Sequence, residues 1–334
     1  MSSAPAVSVI MPVINEELHL AESVNRILAQ EYAGSLNVVI AVGPSKDRTR
    51  EVAEELQRAS DRVTVVENPT GRTPAGLNAA IAAATGDVIV RVDGHAMIPV
   101  DYVAIAVETL ERTGADNVGG IMAAEGVTDF GVAVARAMTS KFGVGGASFH
   151  VGGGEGPALT VYLGTFRRSA LDRVGGYDET MVRAQDWEMN LRIRETGGLI
   201  WFTPAMLVTY RPRATVGALA RQYHDYGRWR REVVRRYPDT LSLRYLAAPV
   251  AVAAICVGLI LVVLGLVLGQ NWMTILGLIP PVGYALANLL ASVASALSSP
   301  RLSWRSALCL PMVYGTMHLT WGAGFLRGGA GRDS

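Results

Sequence analysis

The stretch Val88-Ile-Val-Arg-Val-Asp-Gly-His95 decides how the chain is read. Its β-formers Val88, Ile89, Val90 and Val92 make a strand that ends in an acid, a glycine and a histidine. Two readings of that end are open. Asp93 and Gly94 punctuate an ordinary β-turn, or Asp93 and His95, two residues apart at a strand end, both face one divalent cation. In a sheet built from βαβ units, ligands bind outside the carboxyl ends of the strands. The weight of each reading therefore depends on the flanking pattern.

Upstream, strand and helix signals alternate at short spacing. Residues 7–11 read as a buried strand ended by Pro12, and Asn15-Glu16-Glu17 opens a helix with Leu18, Ala21, Val24, Ile27 and Leu28 at helical spacing. Residues 37–42 are a second strand, and Ser45 is placed to cap a helix running to Ala59. Residues 62–66 are a third strand. Thr73-Pro74 starts a helix through Ala84, with proline in the first turn, where its missing N–H costs little. This alternation predicts an α/β fold: a mostly parallel, Rossmann-like sheet with helices on both faces. Downstream the pattern loosens into a helix over 100–112, a strand over 117–123, a helix over 130–141 and a strand over 161–165. Residues 143–156 hold seven glycines in fourteen positions, which excludes a regular element. They form a surface connector or a loop that orders over a ligand. Residues 183–194 are a helix stopped by Gly197-Gly198, with Trp187, Leu191 and Arg194 on one face.

Half of the 334 residues are hydrophobic and only 18% are charged, and the apolar excess sits after residue 245. A formal net charge of +1 gives no global field toward nucleic acid. Cys256 and Cys309 each lie in an apolar run, with neither disulfide-framework nor zinc-site spacing. The opening Met-Ser-Ser-Ala-Pro lacks the basic and apolar regions of a signal peptide, so the first two hundred residues are expected in the cytoplasm.

Residues 211–244 carry nine arginines against three acids, interleaved with Tyr223, Tyr226, Trp229 and Tyr237. Such a stretch suits nucleic acid or an anionic membrane surface. The apolar runs downstream favour the membrane. Residues 246–268 contain no charge and are long enough to span the hydrocarbon core. Residues 272–297, interrupted by Pro280-Pro281, and 307–326, which hold His318, are two further expected spans. The loop over 269–271 is uncharged, whereas Arg301 and Arg305 lie between the later spans. The positive-inside rule therefore puts the arginine-rich segment at the cytoplasmic face. The expected organisation is a cytoplasmic domain over 1–210, a basic amphipathic interfacial segment over 211–244 and a membrane domain with three helices over 245–327.

Two acidic positions are placed for chemistry. Asp93 with His95 suits a hard or borderline cation, Mn2+ or Mg2+, the imidazole favouring manganese. Such a cation bridges phosphates and stabilises a diphosphate leaving group. Asp186 suits a general base that takes a proton from an acceptor hydroxyl, or a carboxylate that only complements a helix dipole.

Five motifs in order, followed by apolar spans, carry a family resemblance. Val7-Ser-Val-Ile-Met-Pro12-Val13-Ile-Asn15-Glu16 resembles an opening strand and nucleotide-contacting turn. Asn68-Pro-Thr-Gly-Arg72-Thr-Pro-Ala-Gly76-Leu-Asn78 resembles a segment that lines a nucleotide site. Val92-Asp93-Gly94-His95 stands where an Asp-any-Asp metal motif is expected. Gly164-Thr165-Phe-Arg167-Arg168 with Val174-Gly-Gly-Tyr-Asp178 matches an acceptor-side region. Gln185-Asp186-Trp187-Glu188 stands where Glu-Asp and a catalytic base are expected. Beyond these five, Gln222 through Arg228-Trp229 resembles, with stretched spacing, a Gln-any-any-Arg-Trp element. Together they resemble the family 2 inverting glycosyltransferases of the GT-A fold, and more narrowly the membrane-bound members of the succinoglycan-pathway type.

The resemblance covers residues 6 to 235 and, in outline, the spans. It implies a nucleotide-diphosphate sugar donor contacted by Pro12, Val13, Asn15, Glu16, Val42, Arg72, Gly76, Asn78 and Asp93. It implies Mn2+ or Mg2+ at Asp93 and His95, and Asp186 as the base. Gly164, Thr165, Gln185, Trp187, Gln222, Arg228 and Trp229 would lie on the acceptor side. The acceptor itself would be lipid-linked, of the polyprenyl type, at a membrane and without nucleic acid. Open alternatives are a polyprenyl-phosphate monosaccharide synthase, a processive polysaccharide synthase and an inactive nucleotide-sugar-binding protein. The chain departs from the family in three places. Val42 or Gly43 stands where an Asp reads the nucleobase, His95 replaces the second metal-motif Asp, and Gln185 replaces the Glu before the base.

Overall fold

The computed structural model describes residues 4–329; the reading of the opening segment for a signal falls partly on residues 1–3, outside the described residues. The chain forms two compact units, one made of residues 1–123 and 147–210, the other of 124–146 and 211–334. The chain order begins β1 Val7–Val13, α1 Leu20–Leu28, β2 Leu36–Val42, α2 Thr49–Ala59, β3 Val63–Glu67, α3 Thr73–Ala83, β4 Val88–Arg91, α4 Tyr102–Thr113 and β5 Asn117–Ala124. Next come α5 Asp129–Met138 and the one-turn α6 Lys141–Val144, both in the second unit. The first unit is completed by α7 Ser148–Val151, β6 Gly156–Pro157, β7 Tyr162–Arg167, α8 Arg168–Val174, α9 Gln185–Glu195 and β8 Ile200–Tyr210.

The strands form one sheet in the order β3-β2-β1-β4-β7-β5-β8-β6. Strands β1 to β4 pair in parallel, as their apolar runs require: a strand covered on both faces needs no polar alternation. Beyond β4 the sheet turns mixed, with β7 antiparallel to both β4 and β5 and β6 antiparallel to β8. Val7, Val9, Met11 and Val13 of β1 face a core shared with Leu20, Val24 and Ile27 of α1 and Tyr102, Val103 and Leu110 of α4. Ile10 faces the opposite core, with Leu77 and Ala80 of α3 and Met189 and Ile193 of α9. Since β2 and β4 flank β1 on opposite sides, the strand order reverses there. That opens a crevice outside the carboxyl ends of β1 and β4.

Four local expectations are revised. Pro12 does not end β1. Val13 bonds toward β2 and Ile10 toward β4, so the nitrogen of Pro12 points to the β4 side, beyond the last rung at Arg91. The first helix starts at Leu20 rather than Asn15, because Asn15 adopts φ 54° and the chain turns before coiling; Leu18 is left 81% exposed. Ser45 does not cap α2. The carboxylate of Asp47 accepts from the N–H and hydroxyl of Thr49, so the helix begins there. The glycine-rich stretch is not wholly irregular: it contains the single turns α6 and α7, ended by Gly145 and Gly152 at φ 75° and 74°.

The second unit continues with α10 Val216–Arg236, α11 Leu243–Leu268, α12 Asn271–Leu297 and α13 Trp304–Arg327. Among the described residues two helices, α11 and α12, are long and apolar enough to cross a membrane. They approach closely where Gly258 meets Gly277; a Cβ on Gly258 would lie 2.5 Å from the Gly277 carbonyl oxygen. The expected third span is not among them. Helix α13 mixes polar residues such as Thr316, His318 and Thr320 into its apolar run, and it buries Leu310, Val313, Tyr314, Met317 and Phe325 within its unit. Arg136 of α5 donates to the carbonyls of Ser295 and Ser298, satisfying the C-terminal end of α12.

Candidate active site

The Val88-to-His95 stretch delivers its polar residues to the crevice at the carboxyl end of the sheet. Arg91, the last residue of β4, is only 4% exposed. Its Nε and Nη2 donate to Oδ1 of Asp93 at 3.1 and 3.0 Å, and its Nη1 donates to Oδ1 of Asp186. One buried guanidinium thus joins two carboxylates that the chain supplies from distant elements. Each aspartate side chain keeps 26% of its surface exposed. Asp186 is the second residue of α9, and Ala184, at φ 61°, turns the chain into that helix. Such backbone strain in a non-glycine residue persists where the surroundings over-determine it.

Burial pushes the Asp186 carboxyl above its ordinary value; Arg91 works against that rise and Asp93 adds to it. Burial alone would weaken the charge on Arg91, but Asp186 and then Asp93 outweigh it and hold the guanidinium firmly protonated. Tyr177 is buried against the same cluster, its phenol pushed upward by burial first and by Asp186 second. Asn78 fixes it there: the Asn78 amide accepts from the Tyr177 N–H at 2.8 Å and donates to the Tyr177 carbonyl at 2.9 Å. Arg192, paired with buried Glu188, donates to the carbonyls of Val174 and Gly176 and holds the same segment from α9.

His95 turns toward β1, where its Nδ1 lies 2.7 Å from Oε1 of Glu16. Gly94 is needed for this approach, because a Cβ there would come within 2.9 Å of Val13 and 3.0 Å of Glu16. The structure therefore gathers Val13, Glu16, Asp93, His95 and Asp186 at one end of the sheet. Asn15 and Glu16 are tied down by the 43–49 loop: their N–H groups donate to the hydroxyls of Ser45 and Thr49, and the Asn15 side chain accepts from Lys46 N–H. Arg72 caps α3 next to Asn68, which donates to its carbonyl. Gly76 lets α3 pack against Asn68 and Pro12, a Cβ there falling 2.6 Å from the Asn68 amide nitrogen.

The remaining expected site residues are placed as follows. Val42 in β2 and Thr165 in β7 are fully buried, and Asn78 holds Tyr177. Gly164, at φ 99° in β7, packs against the Phe166 ring. Gln185 and Trp187 flank Asp186 on α9. Gln222, Arg228 and Trp229 belong to α10 of the second unit. There Gln222 donates to Tyr226, Arg228 donates to the carbonyls of Gly328 and Gly329, and Trp229 is buried. The sequence did not single out Arg91 as a site residue, and it offered Tyr177 only within the 174–178 acceptor-side stretch. The available signal was an arginine inside an otherwise apolar strand, since a buried charge must find a partner.

Among the described residues no group of three or more His, Cys, Asp or Glu side chains could enclose a metal ion. Asp93 and His95 offer one carboxylate and one imidazole, with the imidazole held by Glu16 in the manner by which carboxylates orient ligating histidines. This donor set fits a divalent cation whose remaining ligands come from a bound diphosphate.

Residues 8–175 match the model of Glycosyl transferase family 2. The chain is 34% identical over 322 residues to the succinoglycan biosynthesis protein ExoA of Rhizobium meliloti, covering 96% of this chain and 93% of that one. It is 24% identical to a dolichyl N-acetyl-alpha-D-glucosaminyl phosphate glucuronosyltransferase of Methanococcus voltae, covering 69% and 74%. In fold it is similar to a mannosyltransferase from Pyrobaculum calidifontis solved with GDP-Man and Mn2+, with a TM-score of 0.57, 21% identity and coverage of 94% and 87%.

Proposed function

The chain belongs to glycosyl transferase family 2 and is a glycosyltransferase. From that premise we propose that it is a membrane-anchored inverting enzyme that moves a sugar from a nucleotide-diphosphate sugar to a hydroxyl of a lipid-linked acceptor in exopolysaccharide or other cell-envelope glycan assembly. The observation that carries this reading is the cluster of Asp93, Arg91 and Asp186 at the carboxyl end of β4. It brings two carboxylates to one buried guanidinium at the strand ends, where ligands bind in sheets of this kind, and burial raises the proton affinity of Asp186. Asp186 takes the proton of the acceptor hydroxyl. The freed oxygen attacks the anomeric carbon as the bond to the diphosphate breaks on the opposite face, so the configuration inverts. Asp93 and His95 are the residues that would hold Mn2+ or Mg2+. Bound there, the cation offsets charge growing on the diphosphate. The Mn2+ in the structurally similar mannosyltransferase supports the use of a divalent cation.

The lipid acceptor is supported by α11 and α12, which would keep the enzyme beside a substrate that cannot leave the bilayer, and by the lipid-linked substrate named for the Methanococcus relative. The arginines over 211–244 support a cytoplasmic catalytic unit resting on anionic headgroups. The test is a thermal-shift panel of UDP, GDP, CDP and dTDP sugars with and without Mn2+, followed by transfer of labelled sugar into a lipid extract. A donor that binds the folded state raises its apparent stability by mass action. One nucleotide class is expected to do so in a metal-dependent way and to label the lipid fraction. If no donor releases nucleotide diphosphate in the presence of lipid extract, the reading falls.

A further inference from the structure

Asp93 follows β4 directly, so the centre of the sheet sets its position. Asp186 does not have that support. It arrives after an irregular stretch in which Gly175, Gly176 and Ala184 all take positive φ. The tie between the two carboxylates is Arg91, rooted in β4 between its neighbours β1 and β7. Each aspartate gives the guanidinium only its Oδ1, and among the described residues neither Oδ2 accepts a hydrogen bond. The guanidinium thereby engages one oxygen of each carboxylate and not the other. Tyr177 walls the guanidinium from water, which strengthens both ion pairs.

We infer that Arg91 is a positioning residue: its rigid fork fixes Asp186 against Asp93, so that acceptor deprotonation and leaving-group departure are aligned in one displacement. This rests on the reading of Asp186 as base. The planar guanidinium can serve both carboxylates in separate directions, whereas a lysine ammonium is a compact point charge on a flexible stem. Removing the fork leaves two like charges free to separate, and misplacement on the scale of an ångström is enough to lower the rate by about 100-fold.

The experiment compares R91K, D186N and the R91K/D186N double variant, with kcat and donor KM measured on detergent-solubilised full-length protein. R91K is expected to lower kcat by roughly 10- to 100-fold with donor KM within about threefold. In the D186N background the same change is expected to cost less than about threefold more, because Arg91 acts through a base no longer present. Wild-type kcat in R91K overturns the inference, as does an equal loss in both backgrounds, which marks a purely structural role. If D186N itself keeps full turnover, the base assignment fails and this inference fails with it. If D186N is inactive and R91K is normal, only this inference fails. Should R91K not fold, Asp186→Glu keeps the charge and the partner while moving the carboxylate by one methylene. A kcat loss of about tenfold at unchanged KM is then expected, and wild-type kcat refutes the need for fixed placement.

Discussion

Asp186→Asn is the perturbation with the clearest expected outcome. The amide is nearly isosteric with the carboxylate, so α9 and its Ala184 entry are undisturbed. Only the basic oxygen and one charge are lost. A positioned general base contributes about 100- to 10,000-fold, equivalent to about 3 to 5 kcal/mol at 1.36 kcal/mol per factor of ten. The donor side is untouched. Asp93, Asp186 and Arg91 together carry −1, and the variant brings the cluster to zero, which leaves binding of an anionic donor unchanged or slightly tighter. Stability should also change little. One charge-assisted hydrogen bond from Arg91 is weakened, but the burial that raises the Asp186 pKa no longer opposes folding. A shift within about 1 kcal/mol, or a few degrees in Tm, is expected. The assay is transfer of labelled sugar to lipid extract with parallel donor binding by thermal shift. A folded variant whose kcat stays within threefold of wild type would refute the base. It would favour an acceptor that is already ionised, such as a lipid phosphate.

Four further outcomes are expected. Since burial raises the Asp186 pKa and the base works in its ionised form, falling pH protonates it sooner than an exposed aspartate. The acid limb of kcat should therefore lie above the ordinary carboxylate value of about 3.9, and a limb at or below that value would count against the assignment. Chelation by EDTA should abolish transfer, and His95→Ala should raise the Mn2+ concentration for half-activity by about tenfold; an unchanged metal titration would return His95 to a turn residue held by Glu16. Gly120→Ala places a Cβ 1.9 Å from the Met206 carbonyl oxygen, where backbone cannot yield, so a loss of about 3 kcal/mol is expected. A normal melting curve would show that β5 and β8 do not approach this closely.

The parts of this protein that rest on local repetition are legible in the sequence alone. Strands β1, β2 and β4 are apolar on both faces because both faces are covered, and the pattern is visible within a few residues. The apolar character of α11 and α12 is equally local. Asp93 and Asp186 could be singled out because each stands within one of the motifs that carry the family resemblance. Where several local choices compete, pattern reading fell short: Asp47 displaced Ser45 at α2. The antiparallel half of the sheet and the grouping of residues 124–146 with the second unit have no local signature at all. It took the folded chain to turn the Val88-to-His95 stretch from a strand with a polar end into a candidate site. Its arginine meets a carboxylate 95 positions away, and a tyrosine held by Asn78 closes the cluster. The physical reason is one of range. Periodicity reports which face of an element is dry, whereas the partner of a buried charge is set by long-range packing, which periodicity does not encode.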